Sequence, residues 1–278
     1  MNPERLSLPP HLKAMLGRGL DLVRCPVERA ELRPVVDAIA EATFERWLSR
    51  RTAEDNRVEH EFVVFGAAMR IAEAERLPLS GKLVVVCATF LHDTYPIPRI
   101  TETAIREAMK KDAELAGGLQ EKKARQRVEH MQGGARNAGL LLRAMEHPLR
   151  PGEPIVAVDV RERCAAIVAA HDYWKLGRPH PPATDREALV CFEADALWPL
   201  HPLGVLADLE RPGESGDPKD VNDPGEWRKQ VHHNLETLRE YRKNWDATDD
   251  VFQDPDCIFR TAEGHRLYRE WAGLWERL

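Results

Sequence analysis

The chain has 278 residues, 40 Lys and Arg against 46 Asp and Glu, and a formal net charge of −6. That balance excludes the basic footprint of a general nucleic-acid binder, and a content of 43% hydrophobic and 31% charged residues excludes collagen-like and disordered chains. The longest apolar stretch, Leu83 to Leu91 with one Thr, is far short of the ~20 residues of a membrane helix, and the first twenty or so residues lack the apolar core and cleavage site of a secretory signal.

Helical periodicity runs along almost the whole chain. From Val36 onward, Ile39, Ala40, Phe44, Trp47 and Leu48 recur at the 3.6-residue period, and His60, Val63, Val64, Ala67 and Ile71 do so again. Residues 82–92, KLVVVCATFLH, are apolar all round and rich in β-branched side chains, a pattern shared by a buried helix and a buried strand. Val128, Met131, Ala135, Ala138, Leu142 and Met145 make a helical stripe; Cys164, Ile167, Val168 and His171 make another, and Ala188 to Trp198 a short one. Trp227, Val231, Leu235, Leu238 and Trp245, then Leu267, Trp271, Leu274, Trp275 and Leu278, complete the series. PLRPGEP (148–154) and LGRPHPP (176–182) read as loops, and the polar stretch 210–226 as a flap or an insertion. There is no βαβ alternation, no G-x-G-x-x-G and no Walker loop, so nucleotide binding by those routes has no support.

Cys25, Cys87, Cys164, Cys191 and Cys257 are odd in number, scattered and free of any C-x-x-C pair. They read as small buried hydrophobes in a reducing compartment, so a cytoplasmic location is expected.

The distribution of His and Asp carries the chemistry. His60, the dipeptide His92-Asp93, His130, His171 and Asp195 follow one another at gaps of 32, 37, 41 and 24 residues, each on its own predicted helix. A metal ion needs imidazole nitrogens and carboxylate oxygens converging from several directions, and a helical bundle supplies one or two inward ligands per helix. Asp195 lies three residues after Phe192 and four after Cys191, which turns it inward. An inward carboxylate calls for a cation or a hydrogen-bond network.

In RVEHEFVVFGAAMRIA, VVVCATFLHD, RVEHMQGGARNAGLLL, RCAAIVAAHDYW and CFEADALW the chain resembles the HD-domain superfamily of metal-dependent phosphohydrolases, from about residue 50 to the end. The ending FRTAEGHRLYREWAGLWERL is similar to the last helix of small stand-alone members with a T-x-x-G-R-type signature, with His265 at the Arg position. The resemblance implies an all-α fold: one HD-like helical bundle over 51–278, with residues 1–50 as an N-terminal helical extension and further helices at the C-terminus. It assigns His60, His92, Asp93 and Asp195 to a first metal site, and makes Asp93 a bridge to a second ion held by His130 and His171. His171-Asp172 is a second HD dipeptide without a suitably spaced downstream pair, so Asp172 is expected beside the site or at the surface.

Many members continue the motif as HD-x-G-K or HD-x-G-R, whereas this chain reads HDTYPIPR, with Pro96 at the basic position. Arg99 is then a displaced candidate for the phosphate contact, and Lys175, with Arg178 and His180, a candidate for the mouth of the site. The run Lys110, Lys111, Lys122, Lys123, Arg125 and Arg127 reads as a solvated helix face. The expected activity is metal-dependent hydrolysis of a small phosphate ester or nucleotide, with Asp93, Arg99 and Lys175 in the catalytic machinery. The expected cofactor is one or two divalent ions, Mn, Fe, Co, Ni, Zn or Mg, and neither nucleic acid nor membrane is an expected partner. The same ligand order also suits HD-type diiron oxygenases, and a non-catalytic metal- or ligand-binding module is the third alternative.

Overall fold

The computed structural model describes residues 7–50, 57–95, 102–177, 181–182, 184–210, 219–241 and 258–276. Within them the chain is all-α, as its periodicity predicts. Eleven helices are described: α1 (Pro10–Asp21), α2 (Pro26–Arg50), α3 (Glu59–Ala74), α4 (Leu79–Leu91), α5 (Glu102–Lys111), α6 (Ala113–Ala144), α7 (Val158–Val168), α8 (Arg186–Leu197), α9 (Pro202–Glu210), α10 (Pro224–Tyr241) and α11 (Ala262–Trp275). A short antiparallel hairpin, β1 (Glu146–His147) with β2 (Arg150–Pro154), occupies the Pro/Gly segment read as a loop. Among the described residues no single helix is long and apolar enough to cross a membrane.

The ambiguous run 82–92 is α4, and its surroundings explain its composition. It packs against α2, α3, α6, α7 and α8, so no side is left for a polar face. Val85, Val86, Cys87, Phe90 and Leu91 are fully buried. Its first turn carries the buried Lys82, whose ammonium lies between Glu28 of α2, at 2.5 Å, and Glu73 of α3. Two carboxylates from different helices thus compensate one buried cation and fix where α4 begins.

One core cluster joins Leu12, Leu16 and Leu20 of α1 to Phe62 and Phe65 of α3, Phe90 of α4, Cys164 of α7 and Leu197 of α8. Burial of each such aliphatic or aromatic side chain contributes roughly 1.5–3 kcal/mol. The stripe read on α6 holds at Met131, Ala138 and Leu142, which are fully buried, while Val128 is exposed at the edge. Trp245, Leu278 and Cys257 lie outside the described residues.

Candidate metal centre

Five segments deliver the six His and Asp side chains to one place. His60 stands in the first turn of α3, His92 and Asp93 follow the last turn of α4, and His130 is in mid-α6. His171 sits in the turn after α7 rather than on the helix, and Asp195 is in the last turn of α8. His60, His92 and Asp195 offer ligand atoms that all lie within 4.8 Å of one another, and so do Asp93, His130 and His171.

Asp93 stands between the two triads. Its Oδ2 is 3.4 Å from His60 Nδ1 and 3.8 Å from His92 Nε2; its Oδ1 is 3.1 Å from His130 Nε2 and 3.7 Å from His171 Nε2. One oxygen thus serves each side. On the first side Asp195 Oδ1 lies 2.9 Å from His60 Nε2 and 3.4 Å from His92 Nε2.

Three of the four imidazoles are oriented by backbone carbonyls. The Nδ1 of His92 faces the Thr89 carbonyl at 2.9 Å, that of His171 faces the Val168 carbonyl at 2.7 Å, and that of His130 faces the carbonyl of Tyr95. An Nδ1–H donated to a carbonyl leaves Nε2 as a lone pair, the tautomer a metal ligand requires. In His92 and His171 that buried Nε2 has no hydrogen-bond partner. Acceptors crowded against acceptors are costly unless a cation joins them, so the donor set fits a metal ion.

Electrostatics agree. Burial works against charge on His60 and His92, yet Asp93 and Asp195 outweigh it, raising His60 to about 9 and His92 to about 10. Burial likewise opposes the charge on both Asp, and the histidines around them hold each carboxyl well below the usual range. The cluster favours positive charge, and protons and a metal ion would compete for the same lone pairs.

Neighbouring elements hold the His92-Asp93 turn. Thr43 Oγ1 of α2 donates to the Phe90 carbonyl at 3.3 Å, while Arg46 Nε and Asn137 Nδ2 donate to the Thr94 carbonyl at 3.2 and 3.3 Å. These bonds satisfy carbonyls that a helix end leaves open. Gly133 and Gly134 let α6 approach closely: a Cβ at Gly134 would meet the His92 carbonyl oxygen at 2.9 Å, and one at Gly133 would overlap the Tyr95 ring. The Trp198 ring packs on His60 at 4.9 Å between centroids. A small cavity of about 10 Å³, room for roughly one water, is lined by Val64, Ala88, Ile167 and Phe192 together with His92, His171 and Asp195.

Sequence reasoning misplaced or missed several neighbours. Asp172 is 2% exposed, which removes the surface option: its Oδ1 is 2.6 Å from Lys175 Nζ, and its Oδ2 pairs with Arg127 Nη1. Arg127 therefore leaves the solvated cationic face on which it was placed and turns toward the site. Glu61, the residue after His60, is buried, and burial pushes its carboxyl up to about 7. The paired glycines inside a helical stripe were the one signal of close approach in the sequence; nothing marked Arg127, Trp198 or Glu61. Arg99, Pro96, Arg178 and His180 lie outside the described residues.

Fold and site together define an all-α protein with buried His/Asp groups that can hold a metal ion. A scan of the chain against protein-family models gives no match, and neither the curated proteins nor the solved structures include a match to it.

Proposed function

We propose that the protein is a metal-dependent phosphohydrolase of the HD kind, acting on a small phosphate ester or nucleotide. The observation that supports it most is Asp93, one carboxylate with each oxygen facing a separate histidine pair. In this reading His60, His92 and Asp195 would hold one divalent ion and His130 and His171 a second, with Asp93 shared between the two groups. When bound, such ions supply Lewis-acid polarisation of a phosphoryl oxygen and a water of lowered pKa.

The chain's own residues do the rest. Carbonyl-anchored imidazoles keep their lone pairs aimed without reorganisation. Val64, Ile167 and Phe192 line an apolar floor beside the ligands, which limits bulk water there and strengthens the electrostatics. Lys175 contributes from the turn after His171, through Asp172, and Arg99 remains a candidate from the sequence alone.

A phosphate-release screen over nucleotides and metabolite phosphates tests the proposal, run in air and anaerobically with Mn, Co, Ni and Mg. Release independent of oxygen and enhanced by metal is expected. Oxygen consumption by iron-loaded protein without phosphate release would transfer the reading to an HD-type oxygenase, and inactivity in both would leave a binding module.

A further inference from the structure

We propose that Arg127 and Lys175, gathered by the buried carboxylate of Asp172, form an oxyanion subsite that seats the phosphoryl group of the substrate on the His130–His171 side of the centre. The inference rests on the phosphohydrolase reading and adds to it the group recognised and the side on which it sits.

The three residues come from two elements. Arg127 is three residues before His130 on α6; Asp172 follows His171 and precedes the 3-10 turn Tyr173–Leu176, which carries Lys175. Asp172 Oδ2, the oxygen paired with Arg127, lies 4.0 Å from His171 Nε2, the nitrogen that faces Asp93. The guanidinium is therefore one hydrogen bond beyond an oxygen that lies 4.0 Å from a candidate ligand nitrogen. The Lys175 ammonium, besides its contact with Asp172, stands over the Trp174 ring at 4.7 Å, which limits where it points.

Charge and burial have the order an anion site needs. One carboxylate holds two cations, so the group carries a net positive charge. The Asp172 side chain is 4% exposed, while those of Arg127 and Lys175 are 25% and 31% exposed, so the carboxylate is the inner layer and the cations the outer one. A guanidinium has five N–H donors and an ammonium three, and Asp172 engages a small part of that capacity. A brace between α6 and the turn would need one cation; two arriving from different elements beside the same ligand exceed that need. Planar, multidentate donors beside a point charge suit tetrahedral phosphoryl oxygens. No Gly-Lys or Gly-Arg follows His92-Asp93 in this chain, and here two cations, from α6 and from the turn after α7, gather on Asp172 beside His171.

The test titrates inorganic phosphate, with acetate as a second probe, into the full chain by calorimetry, both saturated with Mn(II) and metal-free. Arg127→Gln and Lys175→Gln are each expected to weaken phosphate binding about tenfold or more in both states, the size of one lost charge-assisted hydrogen bond. Arg127→Lys should recover part of the loss, and Arg163→Gln, which breaks a pair outside the cluster, should change nothing. Metal content is measured separately on every variant, so a chain that takes up no metal defeats the phosphohydrolase reading while the metal-free titration still decides the subsite. Phosphate affinity in Arg127→Gln and Lys175→Gln equal to that of the unaltered chain overturns the proposal. So does acetate binding as tightly as phosphate, or no phosphate binding by the unaltered chain in either state. Should Arg127→Gln fail to fold, Lys175→Gln alone carries the same decision.

Discussion

At the residue scale, two aspartates that each follow a histidine have opposite roles, and their partners decide which is which. Asp93 meets four imidazoles, whereas Asp172 meets two long cations. Asp93→Ala is expected to abolish stoichiometric metal binding. Asp172→Ala should keep the metal and lower stability by about 2 kcal/mol, because it leaves two half-buried cations without their anion. Metal analysis and denaturant melts on both variants check this, and the reverse pattern would mean that the bridging dipeptide is the second one. His201 gives a pH prediction away from the ligands. It sits between Trp198 and Trp271 and accepts the Leu203 N–H at 3.2 Å, and burial lowers it to about 4. The unfolded chain takes up that proton near pH 6.5 and the folded chain does not. Its contribution is therefore whole above pH 6.5 and lost as pH falls toward 4, by up to about 3 kcal/mol. His201→Asn should flatten that slope, measured as the stability difference from the unaltered chain at pH 7.5 and pH 5; a difference equal at both would refute the coupling.

Elements bring the two triads into register. The close contact between α6 and the end of α4 depends on Gly134, where a Cβ would press on a backbone carbonyl that cannot swing away. Gly134→Ala gains about 1 kcal/mol of helix propensity, yet it is expected to destabilise by a net 1–3 kcal/mol through overpacking and to weaken metal binding by displacing His130. An unchanged melt with unchanged metal affinity would show that α6 yields without cost. On the other side, α8 is tied to the C-terminal helix two residues before Asp195. Glu193 accepts from Arg260 N and Thr261 N through Oε1 and from Thr261 Oγ1 through Oε2, and Thr261 Oγ1 in turn caps α11 by accepting the Gly264 N–H at 2.9 Å. That explains the Thr and the Gly of the TAEGH segment: they are parts of a cap that seats α11 on α8.

For the whole molecule, the candidate ligands drawn from α3, the end of α4, α6, the turn after α7 and α8 come together only when those segments are packed. A metal that binds this arrangement and not the unfolded chain stabilises it by mass action, by about 2.7 kcal/mol at a free concentration one hundred times the dissociation constant. Added Mn, Co, Ni or Zn should therefore raise the melting temperature of the unaltered chain and leave that of Asp93→Ala in place. Equal shifts in both proteins would place the metal somewhere else.

The sequence by itself determined the helical class, since a 3.6-residue apolar period is a local property that each segment carries independently. It also offered the kind and order of the six candidate ligands, on five segments since His92 and Asp93 are adjacent, and the resemblance to the HD superfamily picked them out. Periodicity left run 82–92 undecided between helix and strand, because a segment buried on every side has no period to read; the resemblance implied a buried helix there, as α4 is. That Asp172 faces two cations, whether Arg127 turns outward or inward, that Trp198 packs on His60 and that Glu193 seats α11 were decided by the tertiary structure alone. Each depends on a partner tens of residues away in the chain, and a side chain's direction and charge environment are set by what packs against it, which no local pattern encodes.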